Sequence, residues 1–223
     1  MAVERIRFPA AGEAGPQLEG ELWRPDGGGD VPGVVVAHPH PQRGGSMNNN
    51  VVVAVCHGLN AAGIAAQRFN FRGVGGSEGT YGDGLAEIAD VLGALTFLAA
   101  QPGISSDDIG LAGYSFGARA SLAAAALSPL AVKALLCVAP PLRERLPPDA
   151  TPACPLLVLV GDRDGLVAQG IETYASYLPD PQVLRVIEGT DHFWQGFEPI
   201  LTEATHRFFA GALTSATRQA TQP

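Results

Sequence analysis

The chain has 223 residues, is 46% hydrophobic and carries 14 Lys and Arg against 22 Asp and Glu, a formal net charge of −8. That length and apolar content suit a single well-filled α/β core, and the acidic balance disfavours nucleic acid or an anionic membrane surface as a partner. Cys56, Cys137 and Cys154 lie in or beside apolar segments and read as buried thiols of a reducing compartment, with no metal-ligand spacing among them. Residues 1–10 set Glu4, Arg5 and Arg7 where a signal peptide needs an apolar stretch, and no window approaches a membrane span, so the expectation is a cytoplasmic protein.

Residues 3–8 and 18–23 alternate apolar and polar around a Gly/Pro turn, the pattern of an antiparallel hairpin at a sheet edge. Residues 33–37 form a continuous apolar run suited to a parallel strand buried on both faces, stopped by His38-Pro39-His40-Pro41. Val52, Val55, Cys56 and Leu59 recur at helical spacing and predict a helix over 48–62. Residues 64–71 read as another buried strand, followed by Arg72-Gly73-Val74-Gly75-Gly76-Ser77-Glu78-Gly79. This stretch lacks the Lys-Ser/Thr ending of a P-loop and the full G-x-G-x-x-G spacing, so it reads as a structural turn using positive φ.

Leu85, Ile88, Ala89, Leu92, Leu95 and Ala99 outline the clearest amphipathic helix. Residues 102–108 read as a turn and 109–114 as a strand feeding an alanine-rich helix over 118–127. Strands are predicted at 133–138, 156–160 and 182–188, and helices at 165–178 and 197–208. The Pro-rich stretch 139–155 is too short for a lid. Alternating strands and helices predict an α/β protein with a mostly parallel central sheet of about eight strands, helices on both faces and no cap domain. One domain would span 1–213, with a disordered tail over 214–223.

Between a strand and a helix stands Gly113-Tyr114-Ser115-Phe116-Gly117. A serine on so sharp a turn has strained dihedrals and projects alone above the sheet. G-x-S-x-G is a loose pattern, so the rest of the chain must weigh it. A serine hydroxyl needs a base to take its proton and an acid to orient that base. Gly161-Asp162-Arg163-Asp164 follows the strand at 156–160, and Gly189-Thr190-Asp191-His192 follows the last strand. Serine, carboxylate and histidine thus come in that order, each beyond the C-terminal end of a strand.

With these motifs, with Asp191-His192-Phe193 and with the glycine turn Phe71-Arg72-Gly73-Val74-Gly75-Gly76-Ser77, the chain resembles the α/β-hydrolase superfamily over about residues 5–209. It is similar in particular to the small, lidless, dienelactone-hydrolase-like branch. The resemblance implies a serine hydrolase with Ser115 as nucleophile, His192 as base and Asp164, last residue of the G-x-x-D turn, as the acid in preference to Asp162. His57 and His206 lie inside predicted helices and read as structural. The backbone N–H of Phe116 would be one oxyanion donor. Many relatives carry His-Gly in the loop that supplies the second; here Pro39 and Pro41 have no N–H, which favours His40 as the backbone donor, the departure from His-Gly leaving its identity open.

Tyr81, Leu142, Phe193 and Trp194 are candidates for the substrate pocket on position, with core packing as the equal alternative. Arg43, Arg72, Arg119, Arg143 and Arg145 fall at the same end of the sheet, where they would either pair with Glu78, Asp83 or Glu144 or receive an anionic substrate group, local pairing being the default. The implied chemistry requires no cofactor and no metal. The expected substrate is a small-molecule ester of short or medium acyl chain. A thioester, lactone or peptide would use the same residues, and a non-catalytic binding module is the remaining alternative. The sequence leaves monomer or homodimer open.

Overall fold

The apolar runs of the sequence become the strands of one sheet, in a computed structural model that describes residues 1–27, 29–143, 152–178 and 182–214. The strands are β1 (Ala2–Pro9), β2 (Gln17–Arg24), β3 (Val31–Ala37), β4 (Ala65–Phe69), β5 (Ile104–Tyr114), β6 (Leu135–Val138), β7 (Leu156–Gly161) and β8 (Gln182–Ile187). Their spatial order is β1-β2-β4-β3-β5-β6-β7-β8. The β1–β2 and β2–β4 pairs are antiparallel and every later pair is parallel.

Period-two alternation sends successive side chains of the central strands to opposite cores. On β3, Val35 and Ala37 join Phe8, Phe69 and Leu111 on one face, while Val34 and Val36 join Leu136 and Leu159 on the other. The first face is covered by α2 (Ala86–Ala99), α3 (Phe116–Leu127) and the short α4 (Ile171–Ser176), the second by α1 (Asn50–Ala61) and α5 (Glu198–Phe209). The Asn49 side chain starts α1 by accepting the Val51 N–H at 3.0 Å. Both faces of the inner parallel strands β3, β6 and β7 are therefore dry, which is why they read as unbroken apolar runs, whereas the edge strand β8 leaves Val183 and Val186 exposed.

Three stretches differ from expectation. β5 begins at Ile104, not at 109, because Val31 pairs Ile104 while Gly33 pairs Ile109. Residues 105–108 are taken up as an irregularity closed by a Ser105 Oγ–H to Asp108 bond of 2.7 Å. The helix expected over 165–178 is a 3-10 turn, Gly165–Val167, and then α4, parted at Gly170. Thr214, expected to begin a disordered tail, closes a π-helical turn over Ala210–Thr214. The rest of that tail, and residues 144–151 of the Pro-rich stretch, lie outside the described residues. Among the described residues no cap domain interrupts the sheet, and no helix is long and apolar enough to cross a membrane.

The order β4-β3-β5 locates the site. After β3 the chain turns to one side to make β4, then crosses to the other to make β5. A crevice opens where neighbouring strands send their chains in opposite directions. Ala37 pairs Gly113 there, so the loop after β3 and the turn after β5 are neighbours.

Candidate active site

Ser115 sits between β5 and α3 with φ 51° and ψ −117°, left-handed backbone that a side-chain-bearing residue adopts only under constraint. The constraint is packing. A Cβ on Gly113 would meet the Gly117 carbonyl oxygen at 2.4 Å, and one on Gly117 would meet the Ala37 and His38 carbonyl oxygens at 2.4 and 2.5 Å. Only glycine at both positions lets strand, helix and the β3 loop approach this closely.

The loops after β7 and β8 are laced together. Arg163 N–H donates to the Thr190 carbonyl at 3.0 Å and Gly189 N–H to the Asp162 carboxylate at 2.7 Å. Asp164, 3% exposed, caps the 3-10 turn by accepting the Leu166 N–H at 2.9 Å, and its other oxygen lies 2.8 Å from His192 Nδ1. His192 Nε2 lies 3.0 Å from Ser115 Oγ. A proton on Nδ1, donated to Asp164, leaves Nε2 free to accept from the serine hydroxyl. The two candidate acids therefore part: Asp164 touches the imidazole, and Asp162 ties one loop to the other. Beneath the ring, the Tyr114 hydroxyl donates to the His192 carbonyl at 2.5 Å. Burial, helped by Asp164 and Asp191, holds that phenol above its ordinary value, so it remains a donor.

The loop after β3 is held by a second histidine. His38 is fully buried: its Nε2 accepts the Phe71 N–H at 3.0 Å, so Nδ1 carries the proton and donates to the Pro39 carbonyl at 2.6 Å. Burial lowers its pKa to about 4, which keeps the ring neutral. The Pro39 carbonyl and the His40 N–H belong to one planar peptide, so fixing the first fixes the second. The His40 carbonyl accepts from Arg43 and Gly45 N–H at 3.0 and 3.1 Å, and its ring packs on Tyr81 and Phe116 with centroids 5.3 and 5.1 Å away. The Phe116 amide opens α3, where a helix's first N–H has no intrahelical acceptor.

These groups meet in a cleft of about 930 Å³ lined by Ser115, Phe116, His192, His40, Tyr81 and Phe193 among others. Leu142 and Trp194, expected as possible pocket walls, are not in it. Leu142 is 6% exposed and packs into the core around α3, and Trp194 is wholly buried in the opposite core, while Pro141 and Leu166 line the cleft instead. Arg72 is also removed from the cleft by the buried Asp90, which it grips at 2.6–3.1 Å. Burial raises the Asp90 carboxyl, with Arg72 pulling it back. The glycine-rich turn after β4 is no phosphate cradle, because Glu19 already accepts its Gly76 N–H at 2.6 Å. Among the described residues no group of His, Cys, Asp and Glu is arranged to hold a metal ion.

Residues 14–144 match the family model of the X-Pro dipeptidyl-peptidases (S15 family). An uncharacterised protein of Rickettsia prowazekii is 31% identical over 176 residues, 74% of this chain and 73% of its own. Two solved structures agree over nearly the full length of both chains. An α/β serine hydrolase homologue from Coxiella burnetii is 32% identical with a TM-score of 0.78, over 93% of this chain and 97% of its own. A lidless α/β serine hydrolase from Xanthomonas campestris is 31% identical with a TM-score of 0.80, over 96% of each. The chain belongs to the α/β-hydrolase superfamily. It is a small serine hydrolase of this fold, and among the described residues no lid element covers the cleft at the switch point after β3.

Proposed function

We propose that this hydrolase cleaves carboxylic esters of short or medium acyl chain through an acyl-enzyme. The observation that carries the reading is the unbroken path from Ser115 Oγ to His192 to Asp164, with separations of 3.0 and 2.8 Å, at the floor of an open cleft. In this reading Ser115 Oγ bonds to the ester carbonyl carbon as its proton passes to His192 Nε2. The carbonyl oxygen takes the negative charge and is met by the amides of Phe116 and His40. Collapse breaks the bond to the leaving alcohol, which takes the proton from His192. A water then gives a proton to His192 and bonds to the acyl carbon, the Ser115 ester bond breaks, and His192 returns the proton to Ser115. Asp164 orients the ring and offsets its transient charge. Neither half-reaction changes an oxidation state, and neither requires a cofactor.

A peptidase reading is favoured by the family model matched over residues 14–144. The same steps would release an amine. The two are separated by kinetics on p-nitrophenyl esters from acetate to palmitate, run beside acyl-CoA thioesters and Xaa-Pro p-nitroanilides. The ester reading expects the highest kcat/KM on the shorter esters and a steady fall towards palmitate. Turnover of the anilides alone would overturn it in favour of the peptidase, and a fluorophosphonate probe that leaves Ser115 unlabelled in folded protein would sink both. Cys56, Cys137 and Cys154 are all free thiols, which supports placing the enzyme in a reducing, cytoplasmic setting.

A further inference from the structure

We infer that the cleft selects esters whose acyl half carries a carboxylate, received by Arg119 and Arg43. The inference rests on the ester-hydrolase reading and names its substrate class. Its first support is a local inversion of charge. The chain as a whole has 22 acidic against 14 basic residues, yet among the described residues the cleft is lined by Arg43, Arg119 and Arg143 against Asp83 as its one carboxylate.

These guanidiniums are also unspent. Arg7, Arg68, Arg72 and Arg207 each form an ion pair, whereas Arg43, Arg119 and Arg143, like Arg5, Arg24, Arg163 and Arg185, form none with a described residue, Asp83 included. An arginine that holds a carboxylate does so through a planar fork of two parallel N–H···O bonds. Three such forks without a carboxylate partner among the described residues, all lining the cleft of one nucleophile, are what a carboxylate-bearing ligand would close.

Position decides which half of the ester carries the charge. Arg119 lies one helical turn past Ser115, its N–H donating to the Ser115 carbonyl at 3.2 Å, and Arg43 ends the 3-10 turn that His40 begins. The Tyr81 phenol, raised first by burial and then by Glu87 and Asp83, is pulled back by Arg119 and Arg43 together, so both charges reach that one ring. Tyr81 in turn packs against His40 and Phe116. Both arginines therefore stand near the ring that packs on His40 and Phe116, the two residues whose amides would meet the oxyanion. The leaving alcohol must sit beside His192 to take its proton, which leaves the arginines to the acyl group.

The test compares p-nitrophenyl hemiglutarate with its methyl ester, two substrates that differ by one charge, each rate divided by its rate with hydroxide. The wild-type enzyme should favour the hemiglutarate in kcat/KM by about tenfold at low salt, the size expected of one or two charge-assisted contacts at a partly exposed site. Raising KCl to molar levels should shrink the ratio. Combining Arg119→Gln with Arg43→Gln should bring it to about one through a higher KM for the hemiglutarate, and Arg119→Lys in place of Arg119→Gln should restore part of it. A wild-type ratio of one or less, or a double variant that keeps the wild-type ratio, overturns the inference while the hydrolase reading stands. If neither ester is turned over, the ester-hydrolase reading falls by itself. Calorimetric titration with glutarate then decides the arginine site: binding lost in the double variant supports it, and no binding to wild type overturns it.

Discussion

Two histidines stand at the same end of the sheet, and both use both ring nitrogens, yet they are built for opposite purposes. His192 has a carboxylate on one nitrogen and a hydroxyl on the other, with about a third of its side chain exposed. His38 has a backbone N–H on one and a backbone carbonyl on the other, and no exposure. In the proposed reaction the first works by gaining and losing a proton. The second works only as long as it never does. What separates them is the partner's ability to follow a proton: a carboxylate and a hydroxyl exchange charge and hydrogen, whereas the Phe71 N–H would simply collide with a proton added to His38 Nε2.

The sharpest way to break this contrast is at His192. Replacing it by Gln should cost about 10⁴- to 10⁶-fold in kcat on a p-nitrophenyl ester, with circular dichroism unchanged. A variant that keeps a tenth of its activity would remove His192 from the reaction. Next comes the acid behind it. Asp164→Asn should lower kcat by about 10⁴-fold, since the amide can hold the ring in the wrong tautomer. Asp162→Asn should act on stability through its Gly189 contact and leave most of kcat; the reverse ranking would exchange the two acids.

At His38 the expected loss is smaller, about 100-fold in kcat, the scale of one misdirected oxyanion donor. His38→Asn can keep a donor near the Pro39 carbonyl, and His38→Gln an acceptor near the Phe71 N–H. If His38 acts by aiming the Pro39–His40 peptide, Asn should be the milder change and the pH profile of kcat should keep its wild-type midpoint in both variants. Equal losses in the two variants would make His38 a packing residue. The smallest effect is thermodynamic. The His38 pKa is lowered from 6.5 to about 4, so between those values the unfolded chain binds a proton that the folded chain does not. Its contribution is present above pH 6.5 and is lost as pH falls towards 4, by about 3 kcal/mol at most. Urea unfolding at pH 7.5 and 4.5 should show this loss in wild type and a reduced loss in His38→Asn.

The order of Ser115, Asp164 and His192 was legible in the sequence because each follows a strand whose apolar run is a local signal, and because a parallel sheet puts all such loops at one end. Trp194 and Leu142 were not legible: in a loop without periodicity, nothing local says whether an apolar side chain turns to a cleft or to the core. Trp194, at φ 58°, turns inward. The role of His38 was hidden for another reason. It depends on Phe71, 33 positions away in sequence, arriving beside it as β4 pairs with β3. Likewise Arg72, Arg43 and Arg119 look alike in sequence, and the fold divides them by burying Asp90 beneath the first.

The left-handed backbone at Ser115 also has a bearing on how the protein would change under selection for heat resistance alone. A non-glycine residue there costs about 1–2 kcal/mol relative to glycine. Ser115→Gly is then one of the simplest stabilising substitutions available to the chain, and it removes the nucleophile. Thermal screens blind to turnover should find it repeatedly, so the serine's persistence in a population would itself register that the hydroxyl is in use.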